Sequence, residues 1–241
     1  MYMLSTTAVR STPLAAPEQF PWDRFQMYNT VMGISAGVSL LLIVSLGRKI
    51  LEGKPSDFDG YALALGVNGA LLTFLGGHMT VEWPFSVVPQ ANIVFGEGSL
   101  ALGVLLLAAA FYLWKIRSRA GGEDITSLFT TMRPVSYLVA AVGAGMAAIG
   151  VAGIKYQLFG APPEEPITVR FADSPMMESV FISTLFFLIA AGAVLTPAFT
   201  KNSNRVVGLV IAICWCISGT AWIAFSVLNY FTHIGLIMNT S

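Results

Sequence analysis

Six stretches of this chain are long and apolar enough to cross a lipid bilayer, and that constrains the fold more than any other feature. In hydrocarbon every backbone N–H and C=O must be paired inside the protein, so spanning segments are helices or strands of a closed barrel. A spanning helix takes about 20 apolar residues and a barrel strand about half as many. The runs are Tyr28–Leu46, Tyr61–Val81, Ile93–Trp114, Val135–Tyr156, Met177–Phe199 and Arg205–Tyr230. They predict an all-α, polytopic membrane bundle of six transmembrane helices over 27–232, with an N-terminal arm over 1–26 and a short tail over 233–241. The chain is 55% hydrophobic and 11% charged, against about 25% charged in a soluble domain. Acidic and basic residues balance at 13 each, which leaves no basic field for nucleic acid.

The first residues do not read as a cleaved signal, which needs a basic start and a short apolar core. Arg10, Glu18, Asp23 and Arg24 are interleaved with Pro13, Pro17 and Pro21, and the prolines oppose a long helix. Cys214 and Cys216 lie two apart in one apolar run, so they point in different directions and read as packing residues.

Lys and Arg collect in cytoplasmic loops. Arg48, Lys49, Lys54, Lys115, Arg117, Arg119, Arg133, Lys201 and Arg205 lie on one side, and Arg10, Arg24, Lys155 and Arg170 on the other. Nine against four predicts that both termini and the connections after helices two and four are extracytoplasmic. Trp22, Trp83 and Tyr230 would then mark the outer interface, and Trp114 the inner one.

The fourth helix carries Gly143, Ala147 and Gly150 on one face, and the first carries Gly33 and Gly37. Faces of small residues let membrane helices approach closely. Helices two and three resemble helices four and five: a small-residue helix, a proline-containing loop, then a helix opening with a glutamate. Glu97 and Glu178 take matching places in this parallel internal repeat.

The helix centres contain no ionisable side chain, and Asn68 is the main polar one in helix two. The candidate site is therefore at the extracytoplasmic end: His78, Glu82, Glu97 and Glu178. His78 and Glu82 are four apart and share a helical face. Imidazole and carboxylate could share a transition metal, copper or zinc, with the Met79 thioether as a further soft donor. Glu97 and Glu178 would complete the set if helices two, three and five converge. A structural account serves the same residues, since a carboxylate in a first helical turn is stabilised by the dipole, and His78 can pair with Glu82. Glu164 and Glu165, between prolines, read as a solvated loop, and His233 reads as a surface residue.

The stretch from His78 to Pro84, with Trp83-Pro84, and the stretch Asn92-Ile93-Val94-Phe95-Gly96-Glu97 resemble a family of uncharacterised prokaryotic membrane proteins, archaeal and actinobacterial, grouped as a domain of unknown function. The resemblance covers helices two to five and implies no catalytic residue. A polar arm is ordered only when something holds it. The resulting expectation is a non-catalytic accessory subunit of a prokaryotic membrane complex in the cell membrane, beside other membrane subunits, of the sort that copper membrane monooxygenases contain. The competing expectations are a small-solute transporter or channel, and a metal-dependent membrane enzyme using the His/Glu cluster.

Overall fold

The computed structural model describes residues 29–53, 57–86, 88–116, 125–160, 164–167, 170 and 174–240. The expected arm over 1–26, with Trp22, and the loop cations Lys54, Arg117 and Arg119 lie outside the described residues.

Six helices form, each long and apolar enough to cross a membrane: α1 (Asn29–Leu51), α2 (Phe58–Glu82), α3 (Gly98–Ile116), α4 (Ile125–Tyr156), α5 (Pro175–Asn202) and α6 (Arg205–Thr240). Immediately before α3, residues Asn92–Glu97 are wound as π-helix and run straight into it. The predicted membrane bundle is thus the fold. The helix starts have local causes. The Asp57 side chain accepts the Gly60 N–H at 2.9 Å, and Asn204 accepts the Val206 N–H at 2.8 Å; both satisfy donors that a first turn leaves open.

Each helix packs antiparallel on its main neighbour. α2 lies along α3, α4 along α5 and α1 along α6, while α5–α6 and α1–α2 contacts join these pairs. Around the bundle the order is α3, α2, α1, α6, α5, α4. Only slight contact between α3 and α4 closes it. One end carries the α2–α3 and α4–α5 connections and is called here the His78 end; the other is the Lys115 end.

Glycines set the spacing of the pairs. A Cβ on Gly69 would lie 3.0 Å from Gly103 O, and one on Gly76 would lie 2.8 Å from Gly96 O, so α2 and α3 meet backbone on backbone. Gly219 faces Gly37 O in the same way across α1–α6. Gly143 and Gly150 of α4 face Ala193 and Phe187 of α5, as the small-residue stripe predicts. Association of helices in lipid relies on such close packing, because lipid tails are as apolar as the side chains.

Two prolines lie inside helices, Pro134 in α4 and Pro197 in α5. Pro197 has no N–H for the Ala193 carbonyl four residues back. The Thr196 hydroxyl donates to that carbonyl at 2.7 Å and also reaches Ser136 O across the pair at 3.1 Å. A neighbouring hydroxyl re-satisfying a freed carbonyl is what keeps proline tolerable in a membrane helix.

The two halves differ in height at the His78 end. Phe95 and Trp222 meet edge to face with centroids 6.4 Å apart, and Trp222 meets Phe186 at 5.6 Å. Near that level Gly96 lies against Met79 and Gly98 against Met146. From there α2 ends within a turn, at Glu82. α4 continues to Tyr156 and α6 to Thr240, roughly 15 Å and 27 Å further at a helical rise of about 1.5 Å per residue. The predicted end of helix six at Tyr230 therefore falls well inside α6, and residues 233–240 are its last turns.

Candidate functional site

The four residues predicted as a site lie at one end of the bundle but on different surfaces. His78 is half-buried on α2, and Glu82 is exposed at its last residue. Met79 between them is fully buried and belongs to the core shared by α1, α2 and α3, so its thioether is packing. Glu97 is exposed and faces α4, where it lines a groove with Leu138 and Val142. Glu178 is half-buried in the first turn of α5. Among the described residues no three His, Cys, Asp or Glu side chains come close enough to hold one metal ion. The expected completion of the His78–Glu82 pair by Glu97 and Glu178 is not assembled.

The reason lies in the register of the hairpins. Gly96 faces Met79 and Thr80, so Glu97 sits about a turn inside the end of α2. Ser183 faces Gly153, so Glu178, more than a turn nearer the start of α5, lies past the last residue of α4. The two glutamates thus occupy different heights in the suspected repeat. Glu97 is also not in a first helical turn, because the π-wound residues precede it; Glu178 is.

The Trp83-Pro84 step and Asn92 are the lock of the α2–α3 turn. Trp83 closes α2 in the left-handed conformation at φ 48°, and its indole N–H donates to Thr80 O at 3.0 Å. Proline soon after such a cap prevents the helix from continuing. Asn92 is buried: its amide oxygen accepts the Phe85 N–H at 3.2 Å, and its nitrogen donates to Phe85 O and Pro89 O, each at 3.1 Å. One side chain replaces the backbone partners that a buried turn lacks.

A second polar cluster, not predicted, joins the α4–α5 connection to α6. Glu165 Oε1 is 3.9 Å from His233 Nε2, with side chains 9% and 17% exposed. Asn239 donates to the Glu164 carbonyl at 2.8 Å, and Pro166 covers Gly235. The solvated-loop reading of Glu165 and the surface reading of His233 are both overturned. The missed signal is periodic: Asn229, Thr232 and Leu236 are buried on the same face of α6, which gives the helix a docking side for the loop beyond Tyr230.

The interior at the His78 end is aromatic. Phe95, Phe159, Phe186, Trp222 and Phe225 form a chain of ring contacts from the π-wound segment to α6. Trp222 Nε1 and Ser183 Oγ are buried there without a hydrogen-bond partner. Towards the Lys115 end, Trp215 donates to Ile189 O at 3.2 Å and Ser218 to Leu185 O at 3.1 Å, which ties α6 to α5.

Residues 23–235 match the family described as "Protein of unknown function (DUF981)", a longer match than the helix two to five region where the resemblance was seen. No curated protein and no solved structure matches the chain. With the match covering nearly all of the six-helix bundle, the chain belongs to the DUF981 family.

Proposed function

We propose that the protein is a non-catalytic accessory subunit of a prokaryotic membrane complex, seated in the cell membrane with the His78 end extracytoplasmic. The observation that carries this reading is the packing of the three main helix pairs. α2–α3 and α1–α6 meet backbone against backbone at glycine, and α4 meets α5 with Gly143 against Ala193 and nearby backbone and Gly150 against the Phe187 ring. An alternating-access transporter needs packed elements with two arrangements, commonly around broken helices and polar groups at mid-membrane. Here the helix centres carry no ionisable residue, which favours a scaffold over a carrier.

Affinity purification of the full chain from its native membrane, with mass spectrometry of what accompanies it, tests the reading. Stoichiometric membrane partners are expected. A chain that purifies alone and transports solute in vesicles would overturn it. Elemental analysis separates the metal-enzyme alternative: stoichiometric copper or zinc, lost in His78→Ala, would also overturn it. For the orientation, a reporter fused after Ser241 is expected to be active only outside the cytoplasm, and one within 117–124 only inside; the reverse would refute the positive-inside assignment.

A further inference from the structure

The seam between α3 and α4 is the weakest contact around the bundle, and it holds a groove of about 300 Å³. Leu100, Ala101, Val104 and Leu105 of α3 form one wall, and Leu138 and Val142 of α4 the other. Glu97 stands at its His78 end, exposed, as the sole charged lining residue; the other six have neither charge nor a hydrogen-bonding side chain. The π-wound segment helps to put it there. It turns Gly96 onto Met79 and leaves the next residue, Glu97, facing away from α2 towards α4. α4 continues well above this level to Tyr156, so the carboxylate has a helix beside it and not open solvent on that side.

A carboxylate that borders hydrocarbon, even near a helix end, is stabilised by a cation or donor beside it. The groove specifies that partner. Its volume lies at the small end of ligand pockets, which start at about 300 Å³, and suits one chain, not two. Its walls take only apolar groups, its mouth only a cation or a donor, and no lining Lys or Arg would receive a phosphate. We propose that the α3–α4 groove binds a single-chain amphiphile with a cationic ammonium head and no phosphate, the chain lying between Val104 and Leu138 and the head on the Glu97 carboxylate. This site is independent of the subunit reading, because it uses one chain alone.

The test uses the full chain in lipid nanodiscs and an alkyltrimethylammonium probe with a photoreactive diazirine in its dodecyl chain. Labelling is expected on the α3 and α4 peptides that line the groove. Unlabelled dodecyltrimethylammonium is expected to displace the probe, with dodecyl sulfate and dodecanol weaker roughly tenfold or more, the scale of a lost attraction between unlike charges in contact near a protein surface. Glu97→Gln should remove this preference, and Leu138→Trp, at an exposed position, should block labelling. Equal displacement by sulfate, unchanged binding in Glu97→Gln, or labelling of every lipid-facing helix in proportion to exposure would overturn the proposal. The last outcome would mean that ordinary bilayer tails, or a second copy, cover the seam. The competition series needs no variant, so a substitution that fails to fold does not spare the proposal.

Discussion

The α2–α3 and α4–α5 hairpins both pair a glycine-bearing helix with its successor but close in different ways. In α2–α3 both helices contribute glycine, and what stands opposite each one includes backbone: Gly103 O for Gly69, Gly96 O and Leu100 N for Gly76. In α4–α5 the glycines sit mainly on α4: a Cβ on Gly143 would meet the Ala193 Cβ at 2.6 Å with α5 backbone behind it at 3.3–3.4 Å, and one on Gly150 would meet the Phe187 ring. Backbone cannot move aside without moving the helix, whereas a ring can turn. The first hairpin is therefore fixed in its separation at both glycines, and the second has some give where Gly150 meets the Phe187 ring.

Substitutions that add volume should expose this difference. Gly76→Leu would set a side chain against Leu100 N, Gly96 O and Ser99 C, all within 3.0 Å of its Cβ. The expected loss is at or above the upper end of the roughly 1–3 kcal/mol typical of overpacking, seen as loss of monodisperse protein in detergent. Gly150→Leu first meets the Phe187 ring, at 2.8–3.1 Å. It should cost about 1–3 kcal/mol and lower the thermal midpoint while the protein stays folded. If Gly150→Leu proves the more damaging of the two, the contrast between the hairpins is wrong.

Removing a polar tie tests what the glycines do not provide. Asn92→Ala removes the side-chain partner of the Phe85 N–H and C=O, while Pro89 O keeps the backbone N–H of residue 92 at 3.1 Å. At about 1–2 kcal/mol for buried groups left unpaired, it should raise hydrogen exchange in the α2–α3 turn and leave α4–α5 protected. Thr196→Val leaves the Ala193 carbonyl freed by Pro197 without its hydroxyl. Side-chain hydrogen bonds between membrane helices average about 0.6 kcal/mol, so only a small shift of the unfolding midpoint is expected. Gly145 has open space at its Cβ position. Gly145→Leu should stay within about 0.5 kcal/mol of the parent; a large effect there would mean that residue type, and not what faces it, decides tolerance.

The helix number was legible because apolar runs of spanning length admit few other structures, and the α4 stripe was legible because Gly143, Ala147 and Gly150 recur at helical spacing. The α2–α3 glycines were harder to see. Gly69, Thr73 and Gly76 have the same spacing as Gly143, Ala147 and Gly150, but with a threonine between the glycines the stripe is easily read as a polar interruption of an apolar run. The end of α6 was misjudged because Asn229, Thr232 and His233 look like residues leaving the membrane. Asn229 and Thr232 are buried against the bundle, and His233 pairs with Glu165 of the 164–167 loop. Polarity along a sequence reports a polar neighbour as readily as it reports water. The four-residue site failed for a related reason. A place at the same end of a bundle fixes neither depth nor azimuth: Glu178 lies past the end of α4 while Glu97 sits about a turn inside the end of α2, and Glu97 lines the seam to α4.

The π-wound residues Asn92–Glu97 also decide how this chain can change in length. A π turn carries about one residue more than an α turn over the same rise, with i→i+5 bonds in place of i→i+4. Deleting one residue between Ile93 and Phe95 would let the segment relax to ordinary α winding, with Asn92 still in the turn and Gly103 still against α2. The same deletion lower in α3, where the winding is already α, would rotate every later side chain by about 100° and swing Gly103 out of register. Within one helix, the segment that looks irregular is the one place where an evolutionary deletion could be absorbed.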